Sequence, residues 1–155
     1  MMYPTTDLEG HIKTFACGGP TNASAPIAIT AAGTGDNTAV TGQTINTLTD
    51  RGDSMVFIVH GHASLTATKV LTVAAELQES SDGSTWDTAE SLYRATTVVS
   101  GTGENYGVKE THVKLKGRKQ YIRFNFTPDL DAGATDTAVV LGVAVMAGSK
   151  KLPVT

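Results

Sequence analysis

The chain has 155 residues and a formal net charge of −3, so no global charge draws it to nucleic acid or to an anionic membrane. With 40% hydrophobic and only 17% charged residues, it is not a disordered polyelectrolyte, and its length suits one domain with a core of its own. The single cysteine, Cys17, excludes an internal disulfide and any cysteine-only zinc site within one chain.

Residues 1–20 hold no basic stretch followed by an apolar run, so no signal peptide is expected. The longest apolar stretch, 138–148, falls far short of the ~20 residues of a membrane helix. The first fifty residues are dominated by Thr, Ala, Gly, Asn and Pro. Breakers at Gly18-Gly19-Pro20, Gly33, Gly35 and Gly42 argue against helix. We read residues 1–24 as an extended N-terminal arm with a short apolar piece at 12–16, and residues 26–46 as two short strands with loops. An arm that makes no core of its own lies on its domain, on a neighbouring subunit or on a partner.

From Ser54 a period of two takes over. Residues 54–62 are apolar at nearly every central position, which predicts a strand buried on both faces. Residues 70–80 alternate, with Leu71, Val73, Ala75 and Leu77 on one face. Ser81-Asp82-Gly83-Ser84 reads as a hairpin turn, because glycine adopts positive φ freely. Residues 92–99 predict another strand, and the Gly-rich, polar segment 100–107 a mobile loop. Residues 108–115 place Lys109, Thr111, Val113 and Leu115 opposite Glu110, His112 and Lys114. A tight turn follows at 117–119. Residues 121–127 turn Ile122, Phe124 and Phe126 inward. We read 128–136 as a loop, 138–147 as a last apolar strand and 149–155 as a basic tail.

About eight strands separated by turns, with no convincing helix, predict an all-β fold. We expect an antiparallel β-sandwich over residues 25–148, jelly-roll or immunoglobulin-like. The expected core is Val56, Ile58, Leu71, Val73, Leu77, Trp86, Ile122, Phe124, Phe126, Val140 and Val143.

The chemistry-bearing residues do not assemble into a catalytic pattern, and no enzyme or cofactor is expected. His60 and His62 share one strand face, as a metal pair must, but nothing in the sequence recruits a third ligand. Cys17 has no local base, and no serine sits in a Gly-x-Ser-x-Gly elbow. Arg51-Gly52-Asp53 reads as a turn before a strand. The segment 80–86 is one residue short of an Asp-box and occurs once. Lys114, Lys116, Arg118 and Lys119 form a positive cluster near Tyr121 and Phe124. Phe124 belongs to the inward set, however, so we read the cluster as solvated strand ends rather than a nucleic-acid site.

The run Leu77-Gln78-Glu79-Ser80-Ser81-Asp82-Gly83-Ser84-Thr85-Trp86 resembles a strand ending found in small head proteins of tailed bacteriophages. Gly117-Arg118-Lys119-Gln120-Tyr121-Ile122-Arg123-Phe124 is similar to the strand that follows it there. The closing apolar strand and Lys151-Leu152-Pro153-Val154 match as well. The resemblance covers residues 50–154 and leaves the N-terminal region uncovered. It implies a capsid decoration, or cement, protein on the outer surface of the virion, commonly a homotrimer, with the major capsid protein as partner. Neither nucleic acid nor membrane is implied. On this reading the interface residues are Thr5, Thr6, Leu8, Ile12 and Phe15 of the arm, His60 and His62 on their strand, and Lys150 and Lys151 of the tail. The alternatives are a tail, neck or baseplate protein on the same scaffold, and a carbohydrate-binding sandwich. The latter needs exposed aromatic rings, for which Tyr3, Tyr93 and Tyr106 are the candidates.

Overall fold

In the computed structural model the described residues are 12–17, 26–50, 52–66, 68–131 and 135–147. They form β1 (Ile12–Ala16), β2 (Ile27–Thr30), β3 (Val40–Thr41), β4 (Ile45–Asn46), α1 (Thr47–Asp50), β5 (Ser54–Leu65), β6 (Val70–Ser80), β7 (Glu90–Ser100), β8 (Gly103–Lys114), β9 (Tyr121–Asp131) and β10 (Thr137–Ala147). The one helical turn, α1, was not foreshadowed. It forms because Asn46 Oδ1 accepts the backbone N–H groups of Leu48 and Thr49 at 3.1 and 3.3 Å, a side-chain N-cap.

The pairing identifies the fold. β1 pairs with β10, β3 with β9, β5 with β8 and β6 with β7, all antiparallel. The first strand meets the last, and each later pair nests within the one before, like one long hairpin rolled on itself. That arrangement is the jelly roll, and it excludes the immunoglobulin-like order. One sheet runs β1-β10-β5-β8 with β2 also on β10. The other runs β3-β9-β6-β7 with β4 also on β9.

β1 and β2 lie in line along one side of β10. Ile12 faces Ala147 and Ala16 faces Val143, while Ile27 faces Val140 and Thr30 faces Thr137. They are two halves of one interrupted strand. Residues 12–16, read from sequence as a short apolar piece of an extended arm, are therefore a strand of the sandwich. Glycine and proline density had masked a strand whose pairing is non-local.

Between the sheets Phe57, Phe124 and Phe126 are fully buried with Leu71, Val73, Leu77, Ile122 and Val140. Four expected core positions fall elsewhere. Val56, Ile58 and Val143 point to the outer face and are half-buried. Met55, Phe57 and Val59 take the inner positions of β5 instead. When both parities of a strand are apolar, alternation gives no phase, and packing chooses it. Trp86 is half-buried outside the core, with the Arg123 guanidinium carbon 4.1 Å from its ring centroid.

Two expected loops are strand in part. Segment 100–107 turns at Gly101-Thr102 and enters β8 at Gly103. There β8 passes so close to β7 that a Cβ on Gly107 would stand 1.7 Å from the Val98 carbonyl oxygen. Segment 128–136 begins inside β9. Pro128 is tolerated because its backbone faces away from β6: its carbonyl accepts from the Asn37 N–H at 2.9 Å, beyond the end of β3.

Candidate assembly interface

The two sheets expose unlike outer faces. On the β3-β9-β6-β7 sheet the outer face is polar and internally bonded. Gln78 Oε1 accepts from Arg123 Nε at 2.9 Å and from Asn125 Nδ2 at 2.8 Å. Glu76 lies opposite Asn125, and Thr72 opposite Asp129.

The outer face of the β1-β10-β5-β8 sheet is apolar along β10 and at Val56 and Ile58 of β5 beside it. Residues opposite one another in the register form rows across it. Thr14, Val145, Val56 and His112 make one row, and Ala16, Val143, Ile58 and Glu110 the next. Leu141, His60 and Val108 follow, then Val139, His62 and Tyr106. Val139, Leu141, Val143 and Val145 thus line up as an unbroken apolar column on β10. Tyr106 is 72% exposed, Val108 59% and Val139 39%. A monomer gains nothing from showing apolar side chains on consecutive rows, and a contiguous patch of this kind marks an interaction surface.

On β8 this face carries charge, with Glu110 in a middle row, its Oε1 3.9 Å from His112 Nε2, and opposite charges at the two ends. Ser54 and Lys114 close one end, and Ser64 and Glu104 the other. His62 stacks on Tyr106 with ring centroids 4.4 Å apart, and its Nε2 lies 2.5 Å from Glu104 Oε2. His60 lies exposed in the adjacent row, its ring centroid 6.4 Å from that of Tyr106.

The residues nominated from sequence distribute unevenly over this geometry. His60 and His62 do share the outer face. Ile12 is 41% exposed on β1 at its margin. Phe15 does not belong to any surface: it is 4% exposed within the core, because β1 turns its odd side toward the facing sheet. Thr5, Thr6, Leu8, Lys150 and Lys151 lie outside the described residues. No group of three or more His, Cys, Asp or Glu is placed to hold a metal among the described residues. The sequence reading missed the β10 column and its neighbours Val56 and Ile58. The available signal was that both parities of these strands are apolar, so one apolar set has to point away from the core.

The positive cluster is partly neutralised. Arg118 pairs with Glu79 at 2.5 Å and with Glu90, and Lys119 Nζ lies 2.6 Å from Asp87 Oδ2. The Arg118 hydrogen bond holds the Glu90 carboxyl below its ordinary range, and the two carboxylates raise Arg118. Tyr93 is no platform for a ligand. It is half-buried, its hydroxyl is enclosed, and burial pushes it up to about 12.

No family model matches the chain, and no curated protein matches it. Among solved structures it is similar to the VP2 subviral particle of infectious bursal disease virus, with 12% identity and a TM-score of 0.48 over 92% of this chain and 34% of that one. It is similar to the Gx strain of the same virus, with 11% identity and a TM-score of 0.47 over 92% and 34%. It is also similar to the CBM22-1 xylan-binding domain of Paenibacillus barcinonensis Xyn10C, with 8% identity and a TM-score of 0.40 over 89% and 83%. The chain spans about a third of the length of the viral structures.

Proposed function

We propose that this chain is a structural virion protein, a decoration protein on the outside of a phage capsid that stabilises contacts between major capsid subunits and catalyses nothing. Jelly rolls recur in viral shells and in lectins, so the fold leaves both roles open. The observation that carries the choice is the apolar outer face of the β1-β10-β5-β8 sheet, a surface made for another protein. A sugar site needs stacked aromatic rings, and Tyr106 is the exposed aromatic ring among the described residues. The phage head-protein resemblance in residues 77–86 and 117–124 supports the same reading.

In this proposal the sheet face serves assembly, and the flanking segments, with Thr5, Thr6 and Leu8 before β1 and Lys150 and Lys151 after β10, contact the shell. Many weak contacts on a lattice then add by avidity. The test is co-sedimentation of the purified protein with empty shells of the major capsid protein of the same phage. Saturable binding to the shell is expected. A chain lacking residues 1–11 should keep its circular dichroism spectrum and bind less. The truncation stops there because β1 contributes Phe15 to the core. Failure to bind shells, with incorporation into tails or necks, overturns the decoration role.

A further inference from the structure

We propose that the apolar face of the β1-β10-β5-β8 sheet seats a second copy of this chain, packed face to face about a two-fold axis. The axis crosses the strands between the row of Ile58 and the row of His60. The proposal rests on the preceding reading only in taking this face as the assembly surface. It departs from the trimer that the phage resemblance implies.

The argument is self-complementarity. A two-fold axis across the strands sets each column against itself in reverse order. On β10, Val145 then meets Val139 of the second copy, and Val143 meets Leu141, so the apolar column covers itself. On β8, Lys114 at one end meets Glu104 of the second copy at the other, and the symmetry makes two such pairs. His112 comes opposite Tyr106 of the second copy. An axis along the strands instead sets Lys114 against Ile12 and Glu104 against Thr30, so neither end charge meets its opposite, while Glu110 comes over an apolar group about either axis, Val108 about the first and Ala16 about the second. An isologous contact must be complementary to itself, and the first axis is the one that both covers the β10 column with itself and pairs the opposite end charges of β8.

The size is sufficient. Four strands about 4.8 Å apart and rows about 6.8 Å apart give a face of about 19 Å by about 34 Å. That is about 650 Å² per copy and about 1,300 Å² in all, within the range of stable interfaces. Two sheets pack this way at about 10 Å with strands crossing at about 30°, an offset that a lysine side chain spans.

Light scattering after size exclusion of the full chain tests this without any shell. The expected mass is about 32 kDa, twice 16.1 kDa. Leu141→Asp should give a folded monomer by circular dichroism. Lys114→Glu and Glu104→Lys lie on the exposed rim, where they spare the fold. Each should weaken the dimer about tenfold in Kd by creating like-charge pairs. The double reversal should restore wild-type affinity. A wild-type trimer, or a monomer at about 100 μM, overturns the proposal. So does a double reversal no tighter than the single ones. A dimer that fails to bind shells leaves this inference standing and removes the decoration reading.

Discussion

Phe57 on β5 and Phe124 on β9 stack across the sandwich, ring centroids 4.8 Å apart and planes inclined by 7°. Phe126 closes on the same ring at 6.2 Å. The two sheets are thus pinned by aromatic rings at the middle of the core. Phe57→Ala should cost about 3–5 kcal/mol, because the cavity forms where rigid sheets cannot collapse. Val56→Ala, one residue away on the outer face, should cost under ~1 kcal/mol in the monomer. Urea unfolding at concentrations too low for association checks both. Equal losses would mean that the phase assigned to β5 is wrong.

That phase is also the point at which sequence stops being informative. Strands with one apolar parity, such as 70–80 and 121–127, were legible, as were the turns at Asp82-Gly83 and Gly117. In β5 and β10 both parities are apolar, so the pattern says that both faces carry apolar side chains without saying which residues face the core. The same ambiguity hid the candidate assembly face, which is made of those outer residues. β1 as a strand, and the pairing of β2, were illegible for another reason. Their partner is β10, more than a hundred residues away, and nothing local in a Gly- and Pro-rich stretch reports a distant pairing. Jelly-roll order is likewise a property of the nesting of pairs, not of any segment.

The β6–β7 turn is built around two short side chains. Ser80 is fully buried, and its Oγ accepts from the Gly83 N–H at 2.9 Å while donating to Asp82 Oδ1 at 2.9 Å. Asp82 Oδ1 accepts from the N–H groups of Ser84 and Thr85 at 2.8 and 2.7 Å, and these bonds lower its carboxyl well below the usual range. Gly83 completes the turn at φ +76°. Ser80→Ala leaves the Gly83 N–H without this acceptor and should cost about 1–3 kcal/mol. Gly83→Ala should cost about 1 kcal/mol for its positive φ. Thermal unfolding of the two variants, with Ser80→Ala the less stable, checks the order.

Arg118 ties the 117–120 turn to β6 and β7 through Glu79 and Glu90. The Glu90 carboxyl is lowered in the folded chain, from an ordinary value of 4.5. Its contribution to stability is therefore present above about pH 4.5 and lost as pH falls through the lower folded value. Glu90 is more than half exposed, so solvent screening keeps the contribution to about 1 kcal/mol or less. Arg118→Met should flatten the acid limb of stability against pH. High salt should do the same to the wild type. Denaturant midpoints between pH 3 and pH 6 give the comparison, and an unchanged acid limb in Arg118→Met would remove the pair from the account.

Cys17 closes β1 beneath the sheets, with no accessible surface and its thiol 3.7 Å from the Phe15 carbonyl oxygen. Burial pushes the thiol up to about 12 from an ordinary 9.0. Below pH 9 the folded and unfolded chains hold the same proton, and the group does not affect stability. Between pH 9 and 12 the unfolded chain ionises while the folded one does not, so stability falls by up to about 1.4 kcal/mol per pH unit. Tyr93, raised from 10.0 to about 12, adds the same sign of loss from pH 10 upward. Cys17→Ala should therefore remove the decline between pH 9 and 10 and make the decline above it shallower, leaving the share of Tyr93. At pH 8 a thiol reagent should label wild-type Cys17 only as fast as the chain opens, with a rate that rises with urea. Labelling at the rate of a free thiol would place Cys17 at the surface and take β1 out of the sheet.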